Sequence, residues 1–524
     1  MVRRSRAPAT IVVLSAVVAA ATLLPLLYLV LRAAGAAGAL GGLLFLPRTG
    51  EILLRSLALV ASVTVAVVLV GVPLAWLTTR TDLPGRRIWL VLATLPLVVP
   101  TYVGGFVLVV ALGPKGMLHR WLEPFGVDRL PEIYGLPGAV LILALHTYPY
   151  VLLTVRASLI RLDPALEEVS RNLGLDAWES FRRVVLPQLR PAVAGGALLA
   201  ALYTLGDFGA VSLLRYESFT WAIYVQYQSA FDRSLTAALS LVLVFVAALI
   251  LLAEARTRPR WRGGRSGVGA GRRARPVRLG GWRWPATLLC AAPVALGVVL
   301  PVAVLAAWVV QAMAGNRPLV FPTRAATNSF GIAAVAALTT AAAALPLAVL
   351  TVRFPGWLSG LMERTAYVGF AVPRIAIALG LVFFGAAFAR PLYQTAAMLV
   401  FAYAILFLPT ALASLSAALH LVPPHLEEAA RGLGRTPWGT FRAVTLPIMW
   451  PGVLAGLALV FLLVMEELPA TLILRPAGFD TLASSVWSAT SEALFAQAAV
   501  PALVLTLLSG CSIALLYRRE DRAR

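Results

Sequence analysis

Two carboxylates in this sequence lie where charged groups are rare. Asp207 and Glu467 fall inside long apolar runs, where an ionisable side chain is costly and indicates a functional site by default. Their placement, one in each half of the chain, is compatible with a cation pathway. It is equally compatible with capping of helix breaks near Gly206, Gly209 or Pro469, and the residues alone leave both interpretations open.

The residue patterns of metal binding and nucleotide hydrolysis are missing. Cys290 and Cys511 lie far apart in apolar runs and the four histidines are scattered, so their spacing predicts neither a disulfide framework nor a metal site. A P-loop requires Gly-Lys-Ser/Thr, and the only lysine, Lys115, follows Pro114. We therefore expect no catalytic residue, no bound metal and no cofactor in this chain.

Apolar runs make up most of the sequence. Of its 524 residues, 60% are hydrophobic and 13% are charged, which is half the charged fraction of about 25% in a soluble domain. Apolar runs of about 18 or more residues form transmembrane helices, because lipid cannot bond an exposed backbone. We predict an all-α polytopic membrane protein with about twelve transmembrane helices, at 9–31, 53–79, 88–112, 135–159, 192–214, 234–253, 285–313, 330–352, 366–388, 394–418, 452–474 and 495–517.

The positive charges are distributed as in a membrane protein. The formal net charge is +21, and the basic residues occupy both ends of the chain and alternate loops between the apolar runs. Because basic loops stay in the cytoplasm, we expect both termini there and no nucleic acid as a partner. The apolar part of a secretory signal usually has about 7–15 residues. The first apolar run of this chain is longer, so we expect it to remain as a transmembrane helix rather than to be cleaved.

The chain contains two copies of one sequence unit. The segment EEVSRNLGLDAWESFRRVVLPQLRPAV begins at Glu167 and aligns without a gap with EEAARGLGRTPWGTFRAVTLPIMWPGV, which begins at Glu427, an offset of 427 − 167 = 260 residues. Upstream the offset is 353 − 80 = 273 residues. Pairs at these offsets include Asp207 with Glu467, Arg80 with Arg353, and Pro100 with Pro373.

The repeat predicts the domain organisation. A first repeat at 1–253 and a second at 285–524 are joined by a basic, Gly/Arg-rich linker at 254–284, which has the composition of a flexible segment. Each repeat holds six spans, an even number, so the two six-helix repeats enter the membrane in the same sense and are parallel. Both repeated loops then lie on one face, and their basic character indicates the cytoplasm.

The loop between the fourth and fifth spans of each repeat, at 163–190 and 423–450, is longer than a simple connection. Its residues predict a short helix, a glycine turn and a second short helix that ends before Leu-Pro. A solvated amphipathic loop is the alternative, but two ungapped copies with the same caps favour a functional structure. The residues that indicate these elements are Asp163, Pro164, Gly174, Asp176, Glu179, Leu186 and Pro187, and then Pro424, Gly434, Thr436, Pro437, Leu446 and Pro447.

The second loop, with Glu428-Ala429-Ala430, Gly434 and Leu446-Pro447, resembles the EAA loop of binding-protein-dependent ABC importer permeases. The first loop departs from it at Glu168-Val169-Ser170. The resemblance implies coupling helices that dock on two copies of an ABC ATPase, which binds the ATP, with glutamates touching the ATPase and the glycine turn setting the helix angle. It also implies a periplasmic or lipid-anchored substrate-binding protein and a place in the bacterial cytoplasmic (inner) membrane. The implied coupling residues are Glu167, Glu168, Gly174, Leu186, Pro187, Glu427, Glu428, Ala429, Gly434, Leu446 and Pro447.

The segments after the fifth and eleventh spans bear on the substrate. DFGAVSLLRYESFTWAIYVQYQSAFDRS and MEELPATLILRPAGFDTLASSVW resemble the fused permeases of bacterial ferric-iron importers, which implies ferric-iron transport by alternating access. A permease for thiamine or another small solute is the alternative within the family. A secondary transporter driven by an ion gradient is the alternative from another class, because such proteins also combine parallel repeats with intramembrane acids.

Overall fold

The computed structural model describes residues 7–35, 47–114, 116–229, 233–257, 276–314 and 321–522. The helices of the first half are α1 Ala9–Ala34, α2 Pro47–Arg80, α3 Arg86–Thr94, α4 Thr101–Leu112, α5 Met117–Leu122, α6 Leu136–Arg161, α7 Pro164–Asn172, α8 Ala177–Ser180, α9 Leu186–Gly206, α10 Gly209–Leu213, α11 Phe219–Ser229 and α12 Arg233–Thr257. Those of the second half are α13 Arg283–Val294, α14 Leu300–Ala314, α15 Thr323–Arg353, α16 Trp357–Ala371, α17 Arg374–Phe388, α18 Ala396–His420, α19 Pro424–Gly432, α20 Pro437–Thr440, α21 Leu446–Met465, α22 Pro469–Leu474, α23 Leu482–Ser491 and α24 Phe495–Arg522.

The all-α, polytopic class is confirmed. Among the described residues, extended pairing is limited to an isolated bridge between Thr81 and Val277. Ten helical segments there are long and apolar enough to span a membrane, or eleven if α16 and α17, which meet at a bend of 102°, form one span. The apolar part of α24, Phe495–Gly510, is shorter, so the predicted total of twelve is not confirmed.

The spanning helices have apolar side chains on every face. In α2, Val63, Val67 and Leu74 are buried, whereas Val65 and Leu69 are exposed. Exposure of large aliphatic side chains along a whole helix face is unfavourable in water and normal in lipid. Hydropathy therefore locates these helices in the sequence, whereas packing against neighbouring helices determines which face of each helix is buried.

The described residues pack as two compact units. The first unit comprises 47–222 and 245–317, and the second comprises 1–46, 223–244 and 318–524. Each unit thus contains the central helices of one sequence repeat and the first helix of the other. The repeat boundaries at 1–253 and 285–524 remain a prediction about the sequence. Most of the predicted linker at 254–284, namely 258–275, lies outside the described residues.

In each unit, the helices contributed by the other sequence repeat make specific contacts. In the second unit, α1 packs on α15, α16 and α17. The Thr22 hydroxyl donates to the carbonyl of Thr365 at 3.2 Å, and Tyr28 lies edge-on to Phe388 with ring centroids 5.7 Å apart. In the first unit, α13 packs on α3 and α14 packs on α4.

A glycine allows the helix after the first loop to approach its neighbour. In the first unit, a Cβ atom at Gly196 of α9 would lie 2.5 Å from Thr154 Oγ1 and 2.7 Å from Val151 Cα. Membrane helices without a hydrophobic driving force between them associate by such close backbone contact. The crossing of α9 and α6 therefore depends on the absence of a side chain at this position.

We predict that Gly196→Val separates α9 from α6 and destabilises the protein by about 1–3 kcal/mol, the usual cost of overpacking. Gly195→Val is the matched control, because a Cβ atom there meets nothing within 4 Å. Thermal unfolding of the two variants in detergent checks this. Equal melting temperatures would show that the crossing does not depend on Gly196.

Candidate functional site

The first loop, residues 163–190, begins with the predicted short helix. The Asp163 carboxylate accepts a hydrogen bond from the backbone N–H of Ala165 at 2.9 Å, and Pro164 is the first residue of α7. Gly174 follows α7 with φ of 88°, and the N–H of Leu175 returns to the carbonyl of Ser170 at 3.2 Å. The glycine turn is confirmed, since this left-handed conformation strains any residue with a Cβ atom.

The second loop, residues 423–450, repeats the arrangement. Its helix α19 begins at Pro424, and Gly434 has φ of 82°. The N–H of Arg435 donates to the carbonyl of Ala430 at 3.1 Å, which matches the bond of the first loop at the equivalent residues. Two copies of one turn therefore join the first short helix of each loop to the second at a similar angle.

The second short helix of each loop differs from the prediction. Its N-caps form, because Asp176 accepts from Glu179 N at 2.7 Å and Thr436 accepts from Gly439 N at 3.1 Å. The Glu179 carboxylate, expected as a capping-box partner, pairs with Arg183 at 3.2 Å. The predicted end before Leu186-Pro187 is wrong, as is that before Leu446-Pro447. Instead α8 continues through a π-helical turn, Phe181–Val185, into α9, and α20 continues through Phe441–Thr445 into α21.

The physical reason lies in the position of the prolines. Pro187 and Pro447 directly follow the π turns, in which the N–H of Leu186 bonds to the carbonyl of Phe181 and that of Leu446 to the carbonyl of Phe441. The wider π turn before them accommodates the chain without a break. Each loop is consequently continuous with a membrane helix.

Each loop helix presents an apolar stripe to solvent. Leu166, Val169 and Leu173 of the first loop are exposed, and Leu173 to 79%. In the second loop Leu426 and Leu433 are exposed, and Leu433 to 86%. Leucines with this exposure and the spacing of one helix face are typical of a helix that docks in a groove on a partner.

The paired glutamates of each loop point in different directions. Glu168 and Glu428 are exposed beside the apolar stripe, as is Ala429. The side chains of Glu167 and Glu427 are only 19% and 15% exposed. The predicted coupling residues therefore include two glutamates, Glu167 and Glu427, that face the protein and not solvent.

Arginines at the ends of membrane helices meet the inward glutamates. Arg353, the last residue of α15, has its guanidinium 3.0 Å from Glu427, and Arg80, the last residue of α2, lies 3.9 Å from Glu167. In the sequence these arginines stand out only as a repeat pair, with no role assigned to them. A basic residue that ends an apolar run at the same place in both repeats was the available signal.

In the first unit, Asp207 caps a helix break. Its carboxylate accepts from the Thr101 hydroxyl at 2.6 Å and from Ala210 N at 3.0 Å. Its carbonyl accepts from the Thr220 hydroxyl at 2.6 Å. The residue is 8% exposed and supplies acceptors where α9 ends and α10 begins.

In the second unit, Glu467 occupies the equivalent break between α21 and α22. It accepts from Ala470 N at 3.1 Å and forms an ion pair with Arg374 at 3.1 Å. Thr471 donates to its carbonyl and bonds to Tyr403 Oη at 2.7 Å. Asp207 and Glu467 thus both cap short helices, one of the two interpretations that the sequence allowed.

Arg374 was missed by the sequence analysis. It follows Pro373 and begins α17, and its repeat mate at the offset of 273 is Thr101. The acid at each break therefore has a partner from the same repeat position, neutral in the first unit and charged in the second. Within the part of the chain that the structure describes, no group of three or more His, Cys, Asp or Glu side chains is arranged to hold a metal ion.

These features define a polytopic helical protein with two repeated loops, each presenting an apolar and acidic helix face. Residues 68–263 and 341–522 match the family described as binding-protein-dependent transport system inner membrane component, and the chain belongs to this family of ABC permeases. Both loops lie inside the matched residues. The protein is a multi-pass transporter subunit and not a catalytic enzyme, and the family works with an ATPase and a substrate-binding protein.

Named relatives extend the comparison. Over 500 residues the chain is 36% identical to the Fe(3+)-transport system permease protein FbpB 2 of Haemophilus influenzae, across 94% of this chain and 95% of the relative. It is 34% identical over 193 residues to the sulfate transport system permease protein CysT of Escherichia coli, across 36% of this chain and 68% of CysT. It is also 34% identical over 199 residues to a probable molybdenum ABC transporter permease protein of Haloferax volcanii, across 37% of this chain and 71% of that protein.

We predict that Gly434→Ala and Gly432→Ala have opposite effects on the second loop. Alanine at 434 must adopt the left-handed conformation, which costs about 1–2 kcal/mol. Alanine at 432, the last residue of α19, meets nothing within 4 Å and favours the helix by up to about 1 kcal/mol. Hydrogen exchange of the amides at 429–435 should accelerate in the first variant and slow in the second; acceleration in both would contradict the assigned turn.

Proposed function

We propose that this chain is the permease of a bacterial ABC importer for ferric iron, and that it supplies both halves of the membrane pathway. The observation that supports ferric iron as the substrate is the relative named for Fe(3+) transport, which matches over 94% of this chain. The sulfate and molybdenum permeases match over 36% and 37% of it. Thiamine or another small solute is the alternative substrate within the same family.

The two loops at 163–190 and 423–450 are the proposed docking sites for two copies of an ABC ATPase. This proposal is supported by the exposed stripes of α7 and α19 and by the exposed acids Glu168 and Glu428. Gly174 and Gly434 hold the angle of each docking helix. ATP is bound by these partner subunits and not by this chain.

The continuous helices provide the route by which docking moves the membrane part. Leu186-Pro187 lies within the helical path from α8 to α9, and Leu446-Pro447 lies within that from α20 to α21. A displacement of α8 or α20, which follow the docking helices α7 and α19, therefore moves a spanning helix directly, as alternating access requires. The breaks capped by Asp207 and Glu467 are the proposed pathway elements, because half-helix ends at a break are common at transporter sites.

The proposed orientation follows the charges. Both termini and both docking loops lie in the cytoplasm, and the protein resides in the inner membrane. A periplasmic or lipid-anchored binding protein delivers substrate to the opposite face. The support for this orientation is the distribution of arginines between alternate loops of the sequence.

We predict that Glu168→Lys combined with Glu428→Lys abolishes coupled transport while the permease still folds, because two exposed charges on the docking faces are reversed. Pull-down of the ATPase with the purified permease and substrate uptake in cells measure the effect. Glu51→Lys is the control, since Glu51 lies at the other end of α2 from Arg80 and only forms an exposed pair with Arg55. Normal uptake and ATPase retention in the double variant would refute the docking sites.

We predict that cells lacking this chain lose uptake of labelled ferric iron and keep uptake of labelled thiamine, sulfate and molybdate. The cells are grown under limitation for each nutrient in turn, with the cognate ATPase and binding protein present. Re-expression of the chain should restore iron uptake. Loss of uptake of another substrate alone would agree with a permease function but would show that this substrate, and not iron, is transported.

A further inference from the structure

The inward glutamate of the second loop joins three elements. Arg353 at the end of α15 donates to Glu427 Oε1 at 3.0 Å. The Thr445 hydroxyl, in the π turn that leads to α21, donates to the same oxygen at 2.9 Å. Arg353 also donates to the carbonyl of Val422 at 3.0 Å. One carboxylate therefore ties the docking helix α19 to two membrane helices, and charge-assisted hydrogen bonds of this kind are the strong ones.

The first loop lacks this joint. Arg80 NH1 is 3.9 Å from Glu167, beyond hydrogen-bond distance, and its NH2 donates instead to the carbonyl of Leu159 at 3.0 Å. Glu167 accepts from Arg171 of its own helix at 2.9 Å. The repeat mate of Thr445 is Val185, which has no hydroxyl. The glutamate of the first loop is thus bonded mainly within α7.

The first loop has an internal tie in its place. Ser170 Oγ and Ser180 Oγ lie 2.5 Å apart and link α7 to α8. Their repeat mates in the second loop are Ala430 and Thr440, and no hydrogen bond partner meets the buried Thr440 hydroxyl among the described residues. The departure from Ala-Ala in the first loop therefore ties α7 to α8, and through α8 to the membrane helix α9, but not to α2.

The end of α2 is instead held by the chain that follows the linker. The carbonyl of Arg80 accepts from Val277 N at 2.8 Å. The Asp82 carboxylate accepts from Leu279 N at 2.8 Å and from Arg283 at 2.6 Å, and these two groups keep the pKa of Asp82 below its ordinary value. The repeat mate of Asp82 is a proline, at position 355, so the end of α15 cannot be held in this way.

We propose that Arg353 is a positioning residue which makes the second loop the stronger of the two mechanical links between the ATPase subunits and the membrane helices. The inference rests on the proposed docking of ATPases to both loops. Displacement of α19 carries α15 and α21 with it through Glu427. Displacement of α7 carries one membrane helix, α9, with it through Ser170 and Ser180. Toward α2 it only widens a 3.9 Å ion pair, while α2 stays fixed to the segment after the linker.

The test compares Arg353→Gln with its repeat-matched control, Arg80→Gln. The permease is reconstituted in proteoliposomes with its ATPase and with binding protein loaded with labelled ferric iron, and iron delivered per ATP hydrolysed is measured. This ratio should fall about tenfold in Arg353→Gln, a typical size for coupling between sites, and less than about twofold in Arg80→Gln. Arg353→Lys, which keeps one charged donor to Glu427, should restore most of the ratio.

One further variant makes the test independent of the folding of Arg353→Gln. Thr445→Val converts this position to the residue of the first loop and should lower the ratio about threefold, the lower end of the range expected for the net contribution of one hydrogen bond. An unchanged ratio in Thr445→Val, or equal ratios in Arg353→Gln and Arg80→Gln, would overturn the proposal. So would transport and hydrolysis that fall in proportion, because that result indicates a structural role only.

Failure of the proposed function gives a different result. A wild-type permease that retains no ATPase in a pull-down, or whose ATPase is not stimulated by loaded binding protein, would refute docking itself and the inference with it. Retention of ATPase by all four variants at the wild-type level, with only the transport ratio altered, would support the unequal links.

Discussion

The structure depends on the need to bond every backbone polar group inside a lipid bilayer, where water cannot do so. Long helices meet this need themselves, but a broken helix exposes unpaired groups at the break. Asp207 and Glu467 supply acceptors to the N–H groups of the short helices that follow the breaks. Irregular backbone is tolerated at membrane depth only with such partners, so the two acids proposed as pathway elements also support the fold.

The two breaks meet this constraint with different charges. Asp207 is paired with a neutral hydroxyl from Thr101, whereas Glu467 is paired with the guanidinium of Arg374. A buried ion pair is a weak source of stability but is sensitive to the loss of either partner. Duplication of an ancestral unit thus preserved the position of each cap while its chemistry diverged, and the loops diverged in the same manner.

Local features of the fold and the site were predictable from the sequence, whereas contacts between distant residues were not. Asp163, Asp176 and the two turn glycines act on neighbouring backbone, so their types and spacing were enough to place the caps. The ion pair of Arg353 with Glu427 joins residues 74 positions apart, and no periodicity indicates it. The π turns before the prolines likewise depend on tertiary structure, as does the packing of α1 with the second repeat. The number of spans could not be predicted accurately because some helices bend or have short apolar segments.

The placement of α1 has a consequence for the order of synthesis. Its partners begin at Thr323, which is 323 − 34 = 289 residues after Ala34, so a ribosome adding roughly 5–20 residues per second needs about 15–60 seconds to reach them. During this interval α1 resides in the bilayer without the helices it finally contacts. The Thr22 hydroxyl can meanwhile bond the carbonyl of Ala19 in its own helix, at 2.7 Å. The amino-terminal helix is therefore the first part of the second unit to be made, and a ribosome that stalls before Thr323 leaves it without its partners.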